Sequence, residues 1–238
     1  PFLAFLYFVF TKLWFRVAIL GATFAALHGL ILIGSRGALL AFVAMTLYAL
    51  FFLIKNKKGR RPYNLIITII ASLVLVFIFQ GGQLRERTNS TVAASQSEAS
   101  EPVDPRIKAW SVGKDMILDH PLFGVGVQRF LLAAHTEFPG RTVNVAHNTF
   151  IQIAANSGLI AGSMWLLTLF FTLKQLKNLG AGAQLSSSTQ YLVNATRTSL
   201  IGYIVVSIFL DLLIAEQFYS LVLLSFLLIR FTKPTKYE

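Results

Sequence analysis

Two basic side chains stand beside long apolar runs, where charged groups are costly unless they serve a purpose, and a third precedes a predicted amphipathic helix. Arg36 lies between two such runs, Arg106 lies in a long polar segment, and His147 directly precedes another apolar run. A guanidinium fork matches the oxygens of a phosphate group. An imidazole titrates near neutral pH and can accept a hydroxyl proton. These residue types predict a site that binds a phosphorylated substrate and activates a hydroxyl group.

Each of these residues also has an ordinary structural interpretation. Arg36 would then be an anchor at the membrane interface, although Gly37 beside it favours close approach by a ligand. Arg106 would belong to a solvated helix on the membrane surface, held there by Trp110. His147 would be an interfacial polar residue.

The residues that follow the histidine predict how a helix begins there. Asn148 is a plausible N-cap for the apolar run, and the positive end of the helix dipole would then face a bound anion. Gly158 and Gly162 are four residues apart, which is typical of small-xxx-small helix packing in membranes.

Several other positions offer weaker support for a site. Gly124 and Gly126 lie in a turn that either is simply tight or presents backbone amides to an anion. Asp211 and Glu216 would orient His147, balance an arginine, or be ordinary interfacial residues. His28, inside an apolar run, is expected to be buried and hydrogen-bonded.

The elements that must position these residues are helices in a membrane. The 238 residues are 55% apolar and 13% charged, whereas a soluble domain carries about 25% charge. The apolar runs are near the length that a bilayer core requires, and in lipid the backbone must satisfy its own hydrogen bonds. The predicted spans are 16–34, 36–54, 64–80, 148–173, 191–213 and a shorter 217–231, after a partial span at 1–10.

These spans divide the chain into three parts. Residues 1–80 and 148–238 are expected to hold the transmembrane helices, the latter with a tail, and residues 81–147 form one long loop. The chain starts at Pro1 inside an apolar run, so we expect an N-terminally truncated protein. The loop contains a predicted amphipathic helix, 106–118, whose apolar positions are 107, 110, 117 and 118.

The charges predict an orientation and exclude some functions. Twelve of the 21 basic residues fall on one side by the alternation of spans, which the positive-inside rule places in the cytoplasm. The 81–147 loop, with seven of the ten acidic residues, then lies in the periplasm, and the span interiors look nearly free of charge. The basic balance is therefore topogenic, and we expect no nucleic-acid partner. The sequence has no cysteine and no metal-binding motif, so no cofactor is predicted.

Four segments occur in a specific order. They are GSRGALLA (34–41), RIKAW (106–110), HPLFGVGVQRF (120–130) and AHNTFIQIAANSGLIAG (146–162). This pattern resembles the O-antigen ligase and O-antigen polymerase superfamily. The resemblance implies an all-α polytopic membrane protein, a GT-C-like bundle with one long periplasmic loop that contains short amphipathic helices.

The resemblance also implies a reaction. An inverting, metal-independent membrane glycosyltransferase of the bacterial inner membrane would move a glycan from undecaprenyl pyrophosphate to a hydroxyl on the periplasmic face. Arg36 and Arg106 would hold the pyrophosphate and His147 would activate the acceptor. Trp110, Gly124, Gly126, Asn148, Gly158, Gly162 and Glu216 would support the site. One departure is Asn156, where many relatives carry Glu.

The acceptor remains open at this point. We favour ligation of O-antigen to lipid A-core, with polymerisation onto a second lipid-linked glycan as the alternative within the superfamily. A transporter or flippase of polyprenyl-linked glycans is the main alternative of another class. A transporter should carry charges through the membrane midplane, whereas these charges collect at one face.

Replacing Arg36 tests the pyrophosphate assignment. We expect Arg36→Ala to abolish glycan transfer in a full-length protein while membrane insertion stays intact, and Arg36→Lys to fail too, because lysine lacks the bidentate fork. Transfer by purified variants from a defined lipid-linked donor measures both. Near-normal transfer by Arg36→Ala would contradict the assignment.

Overall fold

A computed structural model describes residues 1–33, 36–55, 70, 89, 105–139, 144–182, 185–212 and 215–232. Within these residues all regular structure is helical. The helices are α1 Phe2–Val9, α2 Leu13–Ile33, α3 Arg36–Lys55, α4 Pro105–Asp119, α5 Phe130–Glu137, α6 Thr149–Gly182, α7 Ser187–Ser207 and α8 Glu216–Thr232.

Most predicted spans correspond to one helix each. The spans at 16–34 and 36–54 match α2 and α3 to within a few residues. The span predicted at 148–173 is the first part of the longer α6, and those at 191–213 and 217–231 correspond to α7 and α8. The span predicted at 64–80 and the first part of the loop, up to 104, lie outside the described residues.

The apolar helices expose much of their surface, as a membrane protein does. Two of the described segments, Leu13–Leu30 and Thr149–Ala181, are long and apolar enough to cross a bilayer. Only 6% of the first segment is buried inside the protein, and Trp14 and Val17 are among its exposed side chains. Apolar surface on this scale requires lipid or another protein to cover it.

Helix α7 is the centre of the bundle and contacts α1, α3, α6 and α8. Trp165 of α6 packs between Tyr203 of α7 and Phe218 of α8, with ring centroids 6.2 Å and 5.6 Å away. Gly202 of α7 lets the side chain of Met45 on α3 lie directly against the backbone. Small and aromatic residues thus set the spacing of the bundle.

Helices α4 and α5 pack against the first half of α6 and form a second core. Its buried members are Ala109, Val112, Met116, Phe130, Ala133, Ala134, Ala146 and Ala155. Of the apolar face predicted for α4, Trp110 and Ile117 pack against this core, whereas Ile107 and Leu118 are 55% and 65% exposed, so that half of the prediction is wrong. The rest of the buried face is Ala109, Val112 and Met116, and α4 lies close enough to α6 for Ile151 to reach Gly113.

Two expectations about the span interiors are also wrong. His28 is exposed on α2, where its ring lies 6.3 Å from that of Phe24, and it is not buried. Arg197, in the middle of α7, is 9% exposed and lies over the ring of Tyr48 at 5.7 Å. The buried Asn194 lies one turn earlier on the same helix. The argument against a transporter, that the span interiors are nearly free of charge, therefore does not hold.

Candidate functional site

Helix α6 is broken at Gly158, whose φ of 82° and ψ of 171° belong to a region that only glycine adopts readily. The break frees the carbonyls of Ala155 and Asn156 from their helical partners. Those oxygens accept hydrogen bonds from the backbone N–H groups of Val125 and Gly126, both at 2.9 Å. The turn at 120–126 thereby replaces the hydrogen bonds that the helix loses.

The broken helix also donates a hydrogen bond to the turn. The N–H of Leu159, left without Ala155, donates to the carbonyl of Pro121 at 2.8 Å. Gly124 has a φ of 67°, and a Cβ there would lie 2.5 Å from the carbonyl oxygen of Ala155. The turn and the broken helix therefore fit together backbone against backbone.

This arrangement changes the interpretation of four glycines. The amides of Gly124 and Gly126 donate within the protein, the first to the carbonyl of His120 at 3.0 Å, which favours the simple tight turn of the two alternatives given for this segment. The small-xxx-small interpretation does not describe these contacts. Gly158 meets the backbone of the turn, while a Cβ on Gly162 would make ordinary contact with Ala154, on the other side of the break.

His147 occupies the position where the chain enters α6. Its φ is 47°, a left-handed conformation that is uncommon outside glycine, and its side chain is half-buried. The predicted N-cap is confirmed: Oδ1 of Asn148 accepts from the N–H groups of Phe150 at 3.0 Å and Ile151 at 3.2 Å. The cap fixes the backbone immediately after the histidine.

The residue before the histidine joins α4 to α6. Nε1–H of Trp110 donates to the carbonyl of Ala146 at 2.7 Å, and the N–H of Ala146 donates to Oε1 of Gln152 at 3.2 Å. We call Trp110, Ala146 and Gln152 the clamp. Arg106 is one turn before Trp110 on α4, ~6 Å along the helix axis, and is exposed.

Contacts of Thr149 and Gly37 bring the start of α3, the start of α6 and the C-terminal end of α7 together. The buried hydroxyl of Thr149 donates to the carbonyl of Leu210 at 2.7 Å and accepts from the N–H of Leu212 at 2.9 Å. Gly37, the second residue of α3, packs against the neighbouring Phe209, which would lie 2.6 Å from a Cβ at that position. Arg36, of which only the backbone is described, thus starts α3 beside this connection.

The end of the bundle where α3, α6 and α8 begin and α7 ends is the entry end. The structure places the backbones of Arg36 and His147 at the entry end, and the clamp attaches the helix that carries Arg106 to it. Glu216, the first residue of α8, is exposed there and lines a cavity of about 650 Å³ between α3, α7 and α8. Asp211 lies in the connection that Thr149 holds.

Sequence reasoning named Asn148 as a cap and Asn156 as a departure from the relatives, but it missed Gln152 and the face that these three residues share. Asn148, Gln152 and Asn156 recur every four residues on one face of α6 and are 8%, 3% and 1% exposed. Polar residues with helical spacing in an apolar run are a signal that could have revealed them. His120 was also missed; its Nε2 lies 2.9 Å from Oε2 of Glu137 and ties the turn to the end of α5.

The described fold is thus that of a helical membrane protein with a histidine at the entry end. A family model described as O-antigen ligase matches residues 21–166, which is more than half of the chain. The chain belongs to this family. The matched region includes Arg36, Arg106 and His147 as well as the break at Gly158. Comparison with curated proteins found no match. Membership supports a role in glycan transfer of the ligase or polymerase type.

The two glycines of α6 provide a matched test of the break. Gly158→Ala forces a Cβ into the backbone of Leu122 and into a φ of 82°, whereas Gly162→Ala adds a methyl group in ordinary contact. We expect Gly158→Ala to lose several kcal/mol of stability, about 1–3 from the backbone conformation alone, and Gly162→Ala to match the wild type. Thermal unfolding in detergent measures both, and equal effects would contradict the break.

Proposed function

We propose that this protein transfers a glycan from undecaprenyl pyrophosphate to an acceptor hydroxyl on the periplasmic face of the bacterial inner membrane. One observation carries the proposal: the segments that bear Arg36, Arg106 and His147 meet at the entry end, inside the region matched by the O-antigen ligase family. Within the family, ligation of O-antigen to lipid A-core is the reaction we favour, and polymerisation is the alternative.

His147 is the proposed general base. The acceptor oxygen attacks the anomeric carbon, the bond from that carbon to the pyrophosphate oxygen breaks, and undecaprenyl pyrophosphate leaves with the bonding electron pair. The acceptor proton passes to the imidazole of His147 and from there to solvent. A single displacement of this kind inverts the configuration at the anomeric carbon.

Arg36 and Arg106 are the proposed ligands of the pyrophosphate. Negative charge accumulates on the leaving group as the glycosidic bond breaks, and prearranged guanidinium groups stabilise that charge most in the transition state. Arg106 is exposed on α4, one turn from the clamp, so its side chain has room to reach a ligand at the entry end. The pyrophosphate linkage is itself activated, so the transfer needs no nucleotide.

Replacing the histidine tests the chemical step. We expect His147→Ala to abolish transfer of labelled glycan from a purified lipid-linked donor to lipid A-core, while His135→Ala, an exposed residue of α5, behaves like the wild type. New glycosidic bonds in the wild-type sample support a transferase. Translocation of the donor without new bonds would support a flippase, and normal transfer by His147→Ala would contradict the assignment of the base.

Cysteine labelling tests the orientation, because residues 1–238 contain no cysteine. Lys114 on α4 and Lys177 near the end of α6 are both exposed. If the entry end faces the periplasm, Lys114→Cys reacts with an impermeant maleimide in spheroplasts, and Lys177→Cys reacts only after the membrane is opened. The reverse pattern would contradict the proposed topology.

A further inference from the structure

We propose that Trp110 and Gln152 are positioning residues that hold His147 ready to accept the acceptor proton; this inference rests on the proposed function. Neither residue contacts the imidazole in the hydrogen bonds described above. They act instead on the peptide groups of Ala146, the residue directly before the histidine. The following steps give the reasons for assigning them this role.

The backbone of His147 is in a conformation that requires support. A φ of 47° in a residue with a Cβ costs on the order of 1–3 kcal/mol and persists only where the surrounding structure imposes it. The Asn148 cap and the Thr149 hydroxyl fix the chain on the C-terminal side of the histidine. The clamp fixes it on the N-terminal side.

Both polar atoms of the Ala146 main chain are satisfied by side chains. Ala146 is fully buried, so its carbonyl and N–H would each carry a desolvation penalty without Trp110 and Gln152. Indole nitrogen is only a donor and the amide oxygen of Gln152 is only an acceptor, so each side chain can satisfy just the group it meets. The pair therefore fixes the orientation of both peptide groups of Ala146, one of which leads directly into His147.

The burial of Gln152 and Trp110 indicates that they position other groups and do not contact the substrate. Gln152 is 3% exposed and its oxygen is taken by Ala146, so it has no free surface for a substrate. Trp110 is partly buried and packs against the core formed by α4, α5 and α6. Because Trp110 lies one turn from Arg106, the same hydrogen bond also sets the separation between the proposed base and the helix that carries a pyrophosphate ligand.

The chain offers matched variants for the test. Gln152→Leu removes the acceptor at similar size, and Gln152→Glu restores an oxygen at the same position. Trp110→Phe removes only the indole donor. Trp165→Phe is its control, since Trp165 packs against the rings of Phe150, Tyr203 and Phe218 and the hydrogen bonds given above for the clamp do not include it.

Steady-state kinetics of the full-length protein with a lipid-linked donor gives the first readout. We expect Trp110→Phe and Gln152→Leu to lower kcat by about 10- to 100-fold, the usual effect of misplacing a reacting group. In Gln152→Leu the KM for the donor should stay within about twofold, since Gln152 acts on the histidine side of the clamp and its loss affects the chemical step. Gln152→Glu should recover most of kcat, and Trp165→Phe should match the wild type.

The imidazole signals of ¹⁵N-histidine-labelled protein give a second readout that does not need activity. The His147 signal, assigned by its loss in His147→Ala, should shift in Gln152→Leu and return in Gln152→Glu. Unchanged kcat or an unshifted signal in Gln152→Leu would overturn the positioning role while leaving the proposed function intact. If the wild type forms no glycosidic bond, the proposed function fails, and the role of the clamp as a determinant of His147 geometry is decided by the signal alone.

Discussion

Backbone hydrogen bonds join the break in α6 to the turn at 120–126. They attach the segment that contains α4, the turn and α5 to the helical bundle. A helix in a membrane cannot leave carbonyl groups unpaired, because no water is present to replace the missing donor. At Gly158 the helix gives up its own donors, and Val125 and Gly126 supply two others. This constraint explains why glycines stand on both sides of the contact, since only glycine permits backbones to approach so closely.

The same contact has a consequence for the entry end. With the turn seated against α6, the preceding helix α4 lies alongside the first turns of α6, and Trp110 comes within reach of Ala146. Thr149 then attaches the connection between α7 and α8, beside which α3 begins. The first turns of α3 and α6, the end of α7 and the helix α4 are thus joined near the segment that carries His147, and the proposed function depends on this arrangement.

Hydropathy predicted most of this fold, because the length of an apolar run reports directly on the bilayer. Asn148 was found as a cap from its position alone. The break at Gly158 was not, since GxxxG spacing looks the same whether a glycine packs against another helix or interrupts its own. The buried face of α4 was found only in part: Trp110 and Ile117 were predicted, whereas Ala109, Val112 and Met116 were not. Gln152 accepts a hydrogen bond from Ala146, six residues earlier and outside the helix, and no periodic sequence pattern predicts such a contact.

The hydrogen-bond exchange at Gly158 also bears on how the protein is made. Residues 120–126 leave the ribosome before residues 155–159, so the donors and acceptors for the interrupted helix already exist when that helix emerges. Until the earlier segment has docked, the broken form of the later helix lacks the donors and the acceptor that it has in the folded protein. The two segments therefore mature as one unit, and a defect in the earlier one would be seen as faulty assembly of the later one.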